Sequence, residues 1–202
     1  MGEDIVAYKY THTHEEMVDN ITRVMEKALS CVHCEKVDAL HWYEQKGQWI
    51  REQARKYGMD TGKAFHIYAL LSANSTVLEN DKQFLNYLRK RKVSHFPDIK
   101  ARITRVKRTG EAPEFLNAAK ISSYAVNLRY PRRDGIGTMD RHAGTIAVGE
   151  RVAALAILSR ANLEGYRLIE GAYKEVARRY GIRVNQAQAL PWVHVVDGHE
   201  VR

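Results

Sequence analysis

Apolar residues recur at intervals of three and four along most of this chain, and alternating apolar–polar runs are nearly absent. Within residues 15–29, one stripe is formed by Met17, Ile21, Val24, Met25 and Ala28. A helix with 3.6 residues per turn places such positions on one face, so the spacing is typical of an amphipathic α-helix. The pattern predicts an all-α protein.

The same periodicity predicts further helices, separated by glycine-containing turns. We expect them over residues 38–57, 61–73, 75–91, part of 113–129, 140–159, 165–180 and 185–195. The helix over 140–159 is expected to be interrupted near Gly149, and Pro131, Gly135 and Gly137 predict a loop over 130–138. No repeat or Gly/Ser-rich linker divides the chain, so residues 1–202 are expected to form a single unit.

The charge of the chain favours a polyanionic partner. Its formal net charge is +8, and basic residues are concentrated between positions 89 and 108, where Asp98 is the only acid. The cations of this strip are Arg89, Lys90, Arg91, Lys92, Lys100, Arg102, Arg105, Lys107 and Arg108. Such a strip can neutralise phosphates and release their counterions. A solvated surface face without a partner is the alternative explanation.

The remaining composition argues against a membrane-spanning, secreted, disulfide-rich or metal-binding protein. No apolar run is long enough to span a bilayer, and the N-terminus lacks the basic and apolar segments of a secretory signal, so we expect a cytoplasmic protein. Cys31 and Cys34 are the only cysteines, which is too few for a disulfide framework. With His33 and His41 nearby they do not complete a convincing set of four zinc ligands, so no metal is expected.

Three segments, in a fixed order, carry residues suited to chemistry on DNA. The first, Ala-Leu-Leu-Ser-Ala-Asn-Ser-Thr over 69–76, contains Asn74. The second, Phe-Leu-Asn-Ala-Ala-Lys-Ile-Ser-Ser-Tyr-Ala over 115–125, contains Lys120. The third, Gly-Ile-Gly-Thr-Met-Asp-Arg-His-Ala over 135–143, contains Asp140. Each has a purely structural alternative: a capped helix end, a solvated lysine and a helix N-cap, respectively.

Together the three segments resemble the helix-hairpin-helix (HhH-GPD) DNA glycosylase superfamily, in particular its endonuclease III branch. They correspond to the family patterns "LLSAQ-T", "LPGVGRKTA" and "(T/A)-(V/I)-D-(T/R)-H", and the spacing from Lys120 to Asp140 is close to that of the family. Asn74 replaces glutamine, and Asn117, Ala118 and Ala119 replace the glycine-containing hairpin turn. The resemblance covers residues 63–149, and the flanks are similar to an uncharacterised phage-encoded branch.

The resemblance implies a compact two-lobed helical fold with an active-site cleft between the lobes. The iron–sulfur cluster of the endonuclease III branch needs four cysteines, so this chain is expected to lack it and to use no cofactor. The interval between Asn74 and Lys120 is shorter than in the family, so its helices are expected to be reduced. The partner implied is double-stranded DNA with an extruded base, bound by a monomer.

The resemblance also implies roles for individual residues. Asp140 would stabilise positive charge on the sugar and Lys120 would attack the sugar carbon to form a Schiff base, giving a bifunctional glycosylase and AP lyase. Asn74, with Ser75, would fill the space left by the extruded nucleotide. Phosphate contacts are expected from Arg132, Arg133, Arg141, Arg89, Lys90, Arg91 and Lys92, and His142 is expected either to orient Asp140 or to contact a phosphate. Because residues 63–73 contain no acid to protonate a purine, a damaged or modified pyrimidine is the favoured base.

Two other functions remain open at this point. Some phage proteins that resemble this superfamily are thought to hypermodify thymine by joining an amine to an activated pyrimidine, and such an enzyme would not need Lys120 as a nucleophile. A DNA-binding module that has lost catalysis would retain only the basic strip. Lys120 and Asp140 would then contribute nothing beyond local stability.

Overall fold

A computed structural model of the chain describes residues 12–30, 39–73, 75–90, 97–110, 119–151 and 163–196. This part of the chain is helical and contains no strand, which confirms the all-α prediction. Its helices are α1 (His14–Ser30), α2 (Trp42–Lys56), α3 (Thr61–Leu71), α4 (Val77–Lys90), α5 (Pro97–Thr109), α6 (Ala119–Arg129), α7 (Arg141–Val148), α8 (Leu163–Tyr180) and α9 (Val184–Val196).

Local signals account for most of the helix ends. Asp60 begins α3, because its side chain accepts a hydrogen bond of 2.9 Å from the backbone N–H of Lys63. Gly149 ends α7 in the left-handed conformation, with φ of 81°, at the interruption that the sequence predicts. The region after it, from residue 152 to 160, lies outside the described residues. Helix α5 was not predicted, although its buried residues Ile99, Ile103 and Val106 follow helical spacing.

The chain divides into two compact units. Residues Met1–Trp42 and Arg133–Arg202 form one, the terminal unit, and residues Tyr43–Arg132 form the other, the central unit. The central unit is therefore inserted into the sequence of the terminal unit. Lys120 belongs to the central unit and Asp140 to the terminal unit.

Helix α3 is the core of the central unit. Nearly every residue of its second half is buried, and α4, α5 and α6 all pack against it. α3 and α6 are antiparallel. The rings of Tyr68, in the second half of α3, and Tyr124, at the midpoint of α6, have centroids 6.1 Å apart. A Cβ atom at Gly62, at the start of α3, would lie 3.5 Å from the guanidinium of Arg129, at the end of α6.

In the terminal unit, α1 packs against α7, α8 and α9. Helix α7 is buried along nearly its whole length, with Ala143, Ile146 and Val148 in the core. The amide of Asn20 on α1 donates a hydrogen bond of 3.1 Å to the carbonyl oxygen of Ala147, near the end of α7. These contacts fix α7, whose first turn follows Asp140.

Within the described parts of the chain, none of the helices combines the length and the apolar character needed to cross a membrane.

Candidate functional site

Lys120 lies at the same end of the central unit as the connection between α3 and α4. It is the second residue of α6 and is half-buried. Because α3 and α6 are antiparallel and each has 11 residues, the first turn of α6 lies next to the last turn of α3. The helix packing therefore brings the Lys120 segment to the same end of the central unit as the segment from Ser72 to Ser75. No described residue forms a hydrogen bond or ion pair with the Lys120 side chain.

The connection between α3 and α4 is tied down at both ends. The Ser72 hydroxyl donates to the carbonyl oxygen of Ala69 at 2.7 Å and helps to close α3. Thr76 and Glu79 form a capping box that begins α4: the Thr76 backbone N–H donates to Glu79 at 3.1 Å, and the Glu79 N–H donates to the Thr76 hydroxyl at 3.2 Å. The half-buried Ser75 hydroxyl accepts a hydrogen bond of 3.2 Å from the amide of Gln83. Asn74 itself lies outside the described residues.

The loop before Asp140 is held by three side chains of the terminal unit. The Tyr166 hydroxyl donates to the carbonyl oxygen of Gly137 at 3.0 Å and accepts from the backbone N–H of Met139 at 3.3 Å. Glu170, one helical turn further along α8, accepts from the Gly137 N–H at 3.1 Å. Asp134 accepts from the Val184 N–H at the start of α9, at 3.1 Å. The backbone that leads to Asp140 is therefore braced against α8 and α9.

Asp140 is the N-cap of α7. One carboxylate oxygen, Oδ1, accepts a hydrogen bond of 2.9 Å from the backbone N–H of Ala143. That is the only hydrogen bond to the carboxylate among the described residues, so Oδ2 retains its capacity to act on a ligand. The charge of the Asp140 carboxylate also affects a buried residue of the core. The pKa of Tyr173 is raised well above its usual value, mainly by burial and further by the Asp140 carboxylate.

The basic residues predicted to contact DNA near Asp140 are solvent-facing. Arg132, Arg133 and Arg141 are exposed, and His142 is half-buried in the first turn of α7. The Arg132 guanidinium lies 3.7 Å from the Glu44 carboxylate, and its side chain is 86% exposed, so the pair leaves it free to move. Arg132 belongs to the central unit and follows the end of α6, whereas Lys120 lies at the start of that helix.

Two residues of the predicted basic strip, Arg89 and Lys90, do not lie beside Lys120. Arg89 and Lys90 are exposed in the last turn of α4, and the Arg89 guanidinium donates to the Tyr57 hydroxyl at 3.1 Å. Tyr57 shortly precedes the start of α3, so these two residues lie at the opposite end of α3 from Lys120. The length of α3 separates the two ends by about 16 Å. Arg91, Lys92, Asn117, Ala118, Cys31 and Cys34 lie outside the described residues.

A partly buried polar cluster in the central unit was not foreseen. The Asp81 carboxylate accepts hydrogen bonds from the Tyr68 hydroxyl at 2.7 Å and from Lys46 at 2.8 Å. Burial raises the pKa of Tyr68, and the nearby Tyr124 and Asp81 raise it further. Tyr43 and Tyr124 are also buried here, with ring centroids 6.2 Å apart. These aromatic rings therefore belong to the core.

The residues that brace the Asp140 loop were also missed. Tyr166 and Glu170 lie in the helix predicted over residues 165–180, but neither they nor Asp134 were singled out from the sequence. A usable signal was present, because Tyr166, Glu170 and Tyr173 follow the i, i+4, i+7 spacing of one helix face. Among the described residues, no group of three or more histidine, cysteine, aspartate or glutamate side chains could hold a metal ion.

Residues 4–199 match the model of a family described as a family of unknown function (DUF7178), and the chain belongs to that family. No curated protein and no solved structure matches the chain.

Proposed function

We propose that the protein is a bifunctional DNA glycosylase and AP lyase that acts on a nucleotide turned out of a duplex. Lys120 is the nucleophile, and Asp140 is the carboxylate beside the sugar. The observation that carries the proposal is the antiparallel packing of α3 and α6, which brings Lys120 to the same end of the central unit as Ser72 and Ser75. An enzyme that extrudes a nucleotide needs its nucleophile close to the side chains that occupy the vacated space in the duplex.

The bracing of the Asp140 loop supports the same function. A carboxylate stabilises a developing positive charge best when it is already held in position, because no energy is then spent in reorganising the site during the reaction. Tyr166 and Glu170 hold the backbone one to three residues before Asp140, and the cap to Ala143 holds one of its oxygens. The second oxygen is the one that acts on the sugar.

The reaction begins as the bond between the base and C1′ of the sugar weakens and positive charge develops on the sugar. The Lys120 amine attacks C1′, a bond from nitrogen to carbon forms, and the base departs with the electron pair of the glycosidic bond and takes up the proton that the nitrogen releases. The bond from C1′ to O4′ then breaks, O4′ takes up a proton from solvent, and the nitrogen and C1′ form an iminium ion. Loss of a proton from C2′ then expels the 3′ phosphate by β-elimination, which cleaves the strand.

The substrate class is a damaged or modified pyrimidine in double-stranded DNA. No acidic residue lies in positions 63–73, on or beside the α3 segment that precedes the connection, to protonate a purine leaving group. Asn74 and Ser75 contact the duplex at the vacated position, and Arg132, Arg133, Arg141 and His142 contact phosphates. The protein acts as a monomer in the cytoplasm and uses no cofactor.

Borohydride trapping tests the proposal. Duplexes bearing uracil, an oxidised pyrimidine, an oxidised guanine or an abasic site are incubated with the protein and then reduced. A covalent adduct between protein and DNA is expected for a pyrimidine lesion, and it should disappear in Lys120→Ala but persist in Lys100→Ala, an exposed lysine on α5. Mass spectrometry of the adduct should place the sugar on Lys120.

Other outcomes would replace the proposal with a different function. Base release without a trapped adduct indicates a monofunctional glycosylase. No reaction with these lesions, together with a mass change of pyrophosphorylated hydroxymethyluracil DNA in the presence of an amine, indicates a thymine-modifying enzyme. DNA binding that is the same in Lys120→Ala and Asp140→Asn, without any reaction, indicates a binding module.

A further inference from the structure

One end of the central unit is crowded with cations. Four of its helices, α2, α4, α5 and α6, end in basic residues, and the first turn of α3 adds another. The eight cations, which we call the basic pole, are Arg55, Lys56, Lys63, Arg89, Lys90, Lys107, Arg108 and Arg129. Most are exposed, and Lys63 is half-buried. Among the described residues of these helix ends, Asp60 is the one acid, and it caps α3.

Contacts of the side chains show that these helix ends converge. Arg89 at the end of α4 donates to the hydroxyl of Tyr57, which follows α2. The Lys63 ammonium donates to the carbonyl oxygen of Lys107 at the end of α5, at 2.8 Å. The Lys107 ammonium in turn lies 5.4 Å from the centre of the Tyr87 ring on α4. Arg129 at the end of α6 lies against Gly62.

Helix dipoles explain only part of this arrangement. A cation near a helix C-terminus is stabilised by about 0.3–1 kcal/mol, which favours one basic residue in each last turn. Three of the four helices carry two there, and Lys63 lies at a helix N-terminus, where the dipole disfavours a cation. Eight like charges at one end repel one another, and that repulsion destabilises the folded unit unless an anion neutralises it.

The spread of the pole favours a long polyanion over a single phosphate. Axes of packed helices are about 8–10 Å apart, so four helix ends distribute the cations over a distance that one phosphate cannot cover. Nucleic acid carries a regular series of phosphates. An aromatic ring that could stack on bases also lies here, since Tyr130, 48% exposed, follows Arg129 and contacts it. The exposed aliphatic residues of the described chain, Leu29 and Leu78, lie elsewhere, so membrane insertion is not favoured.

We infer that the basic pole is a second nucleic-acid binding surface, which holds a phosphate backbone at the end of the central unit opposite Lys120. The length of α3, about 16 Å, separates the two ends. The pole therefore binds DNA whether or not a lesion is present and does not depend on the reaction at Lys120. It extends the basic strip of the sequence with Arg55, Lys56, Lys63 and Arg129.

Binding of a short lesion-free duplex tests the inference. In the 202-residue chain, the double variant K90Q/R108Q removes two exposed cations that form no described contact, so the fold should be retained. The matched control, R151Q/R167Q, removes two exposed cations from the terminal unit. Affinity for the duplex is measured from about 50 to 200 mM salt.

We expect K90Q/R108Q to bind about tenfold or more weakly at low salt, with a salt dependence reduced by about two counterions. The control should bind as the unaltered protein does. Unchanged affinity and salt dependence in K90Q/R108Q would overturn the inference, as would an equal loss in the control. The inference would also be overturned if K90Q/R108Q bound phosphatidylserine vesicles more weakly but bound DNA as the unaltered protein does. The experiment measures DNA binding and not a reaction, so its result can be interpreted even if the glycosylase proposal is wrong.

Discussion

The Tyr166 hydroxyl lies 3.0 Å from the carbonyl oxygen of Gly137 and donates a hydrogen bond to it. The same oxygen atom of Tyr166 accepts from the Met139 N–H, so one side chain of α8 satisfies two buried backbone groups in the segment that leads to Asp140. This segment has no regular secondary structure to satisfy them. The position of the Asp140 carboxylate therefore depends on a residue 26 positions later in the sequence.

Replacing Tyr166 by phenylalanine should destabilise the protein by about 1–3 kcal/mol, because a buried donor and a buried acceptor lose their partner. Urea unfolding measures the loss. The control Tyr130→Phe removes a hydroxyl from a half-exposed ring and should change the stability by no more than about 0.5 kcal/mol. Equal stability of the two variants would mean that the Tyr166 hydrogen bonds make no net contribution to the free energy of unfolding.

Two substitutions at Asp140 separate its structural role from its chemical one. Asparagine caps a helix about as well as aspartate, so Asp140→Asn should unfold at nearly the urea concentration of the unaltered protein, whereas Asp140→Ala should lose about 1 kcal/mol. Under the proposed function both variants should lose excision of the base in single-turnover assays. An Asp140→Asn variant with full activity would show that the negative charge is not needed.

Two helical glycines should respond to alanine in opposite directions. A Cβ at Gly47 on α2 would press against the backbone oxygen of Leu128 on α6, so Gly47→Ala should destabilise the protein by about 1–3 kcal/mol. At Gly171 on α8 the nearest atom would be 3.7 Å away, in the His14 ring, which is an ordinary contact. Gly171→Ala should therefore stabilise the protein by up to about 1 kcal/mol. Urea unfolding of both variants measures the difference, and a stable Gly47→Ala would contradict the close helix approach.

Stability should fall in alkaline solution because of two buried tyrosines. Burial raises the pKa of Tyr68 and of Tyr173, so both stay protonated in the folded protein, whereas in the unfolded chain they ionise near the usual tyrosine pKa of 10.0. Their contribution is complete below that pH and is lost above it, at about 1.4 kcal/mol per pH unit for each tyrosine. Urea unfolding at several alkaline pH values should show a shallower dependence for Tyr68→Phe/Tyr173→Phe. An identical slope would mean that these hydroxyls ionise in the folded protein.

Much of the local structure follows from nearby residues. The caps at Asp60 and Gly149 and the Thr76–Glu79 capping box each depend on residues within one turn, and such signals can be recognised in a sequence. Helix α5 was the exception, because its many charges obscure the helical spacing of Ile99, Ile103 and Val106. The interval between Asn74 and Lys120, whose helices were expected to be reduced, contains α4 with 14 residues and α5 with 13 residues.

The sequence by itself determined that the chain is helical, where most helices begin and end, and that Asp140 precedes one of them. These properties depend on neighbouring residues and on the recurrence of apolar residues every three or four positions. Only the tertiary structure decided that α3 and α6 are antiparallel, which places Lys120 at the same end of the central unit as Ser75 and at the opposite end from Arg89. It also decided that Tyr166 and Glu170 hold the segment before Asp140. Helix direction and packing depend on contacts between residues distant in sequence, and no local pattern specifies which partners meet.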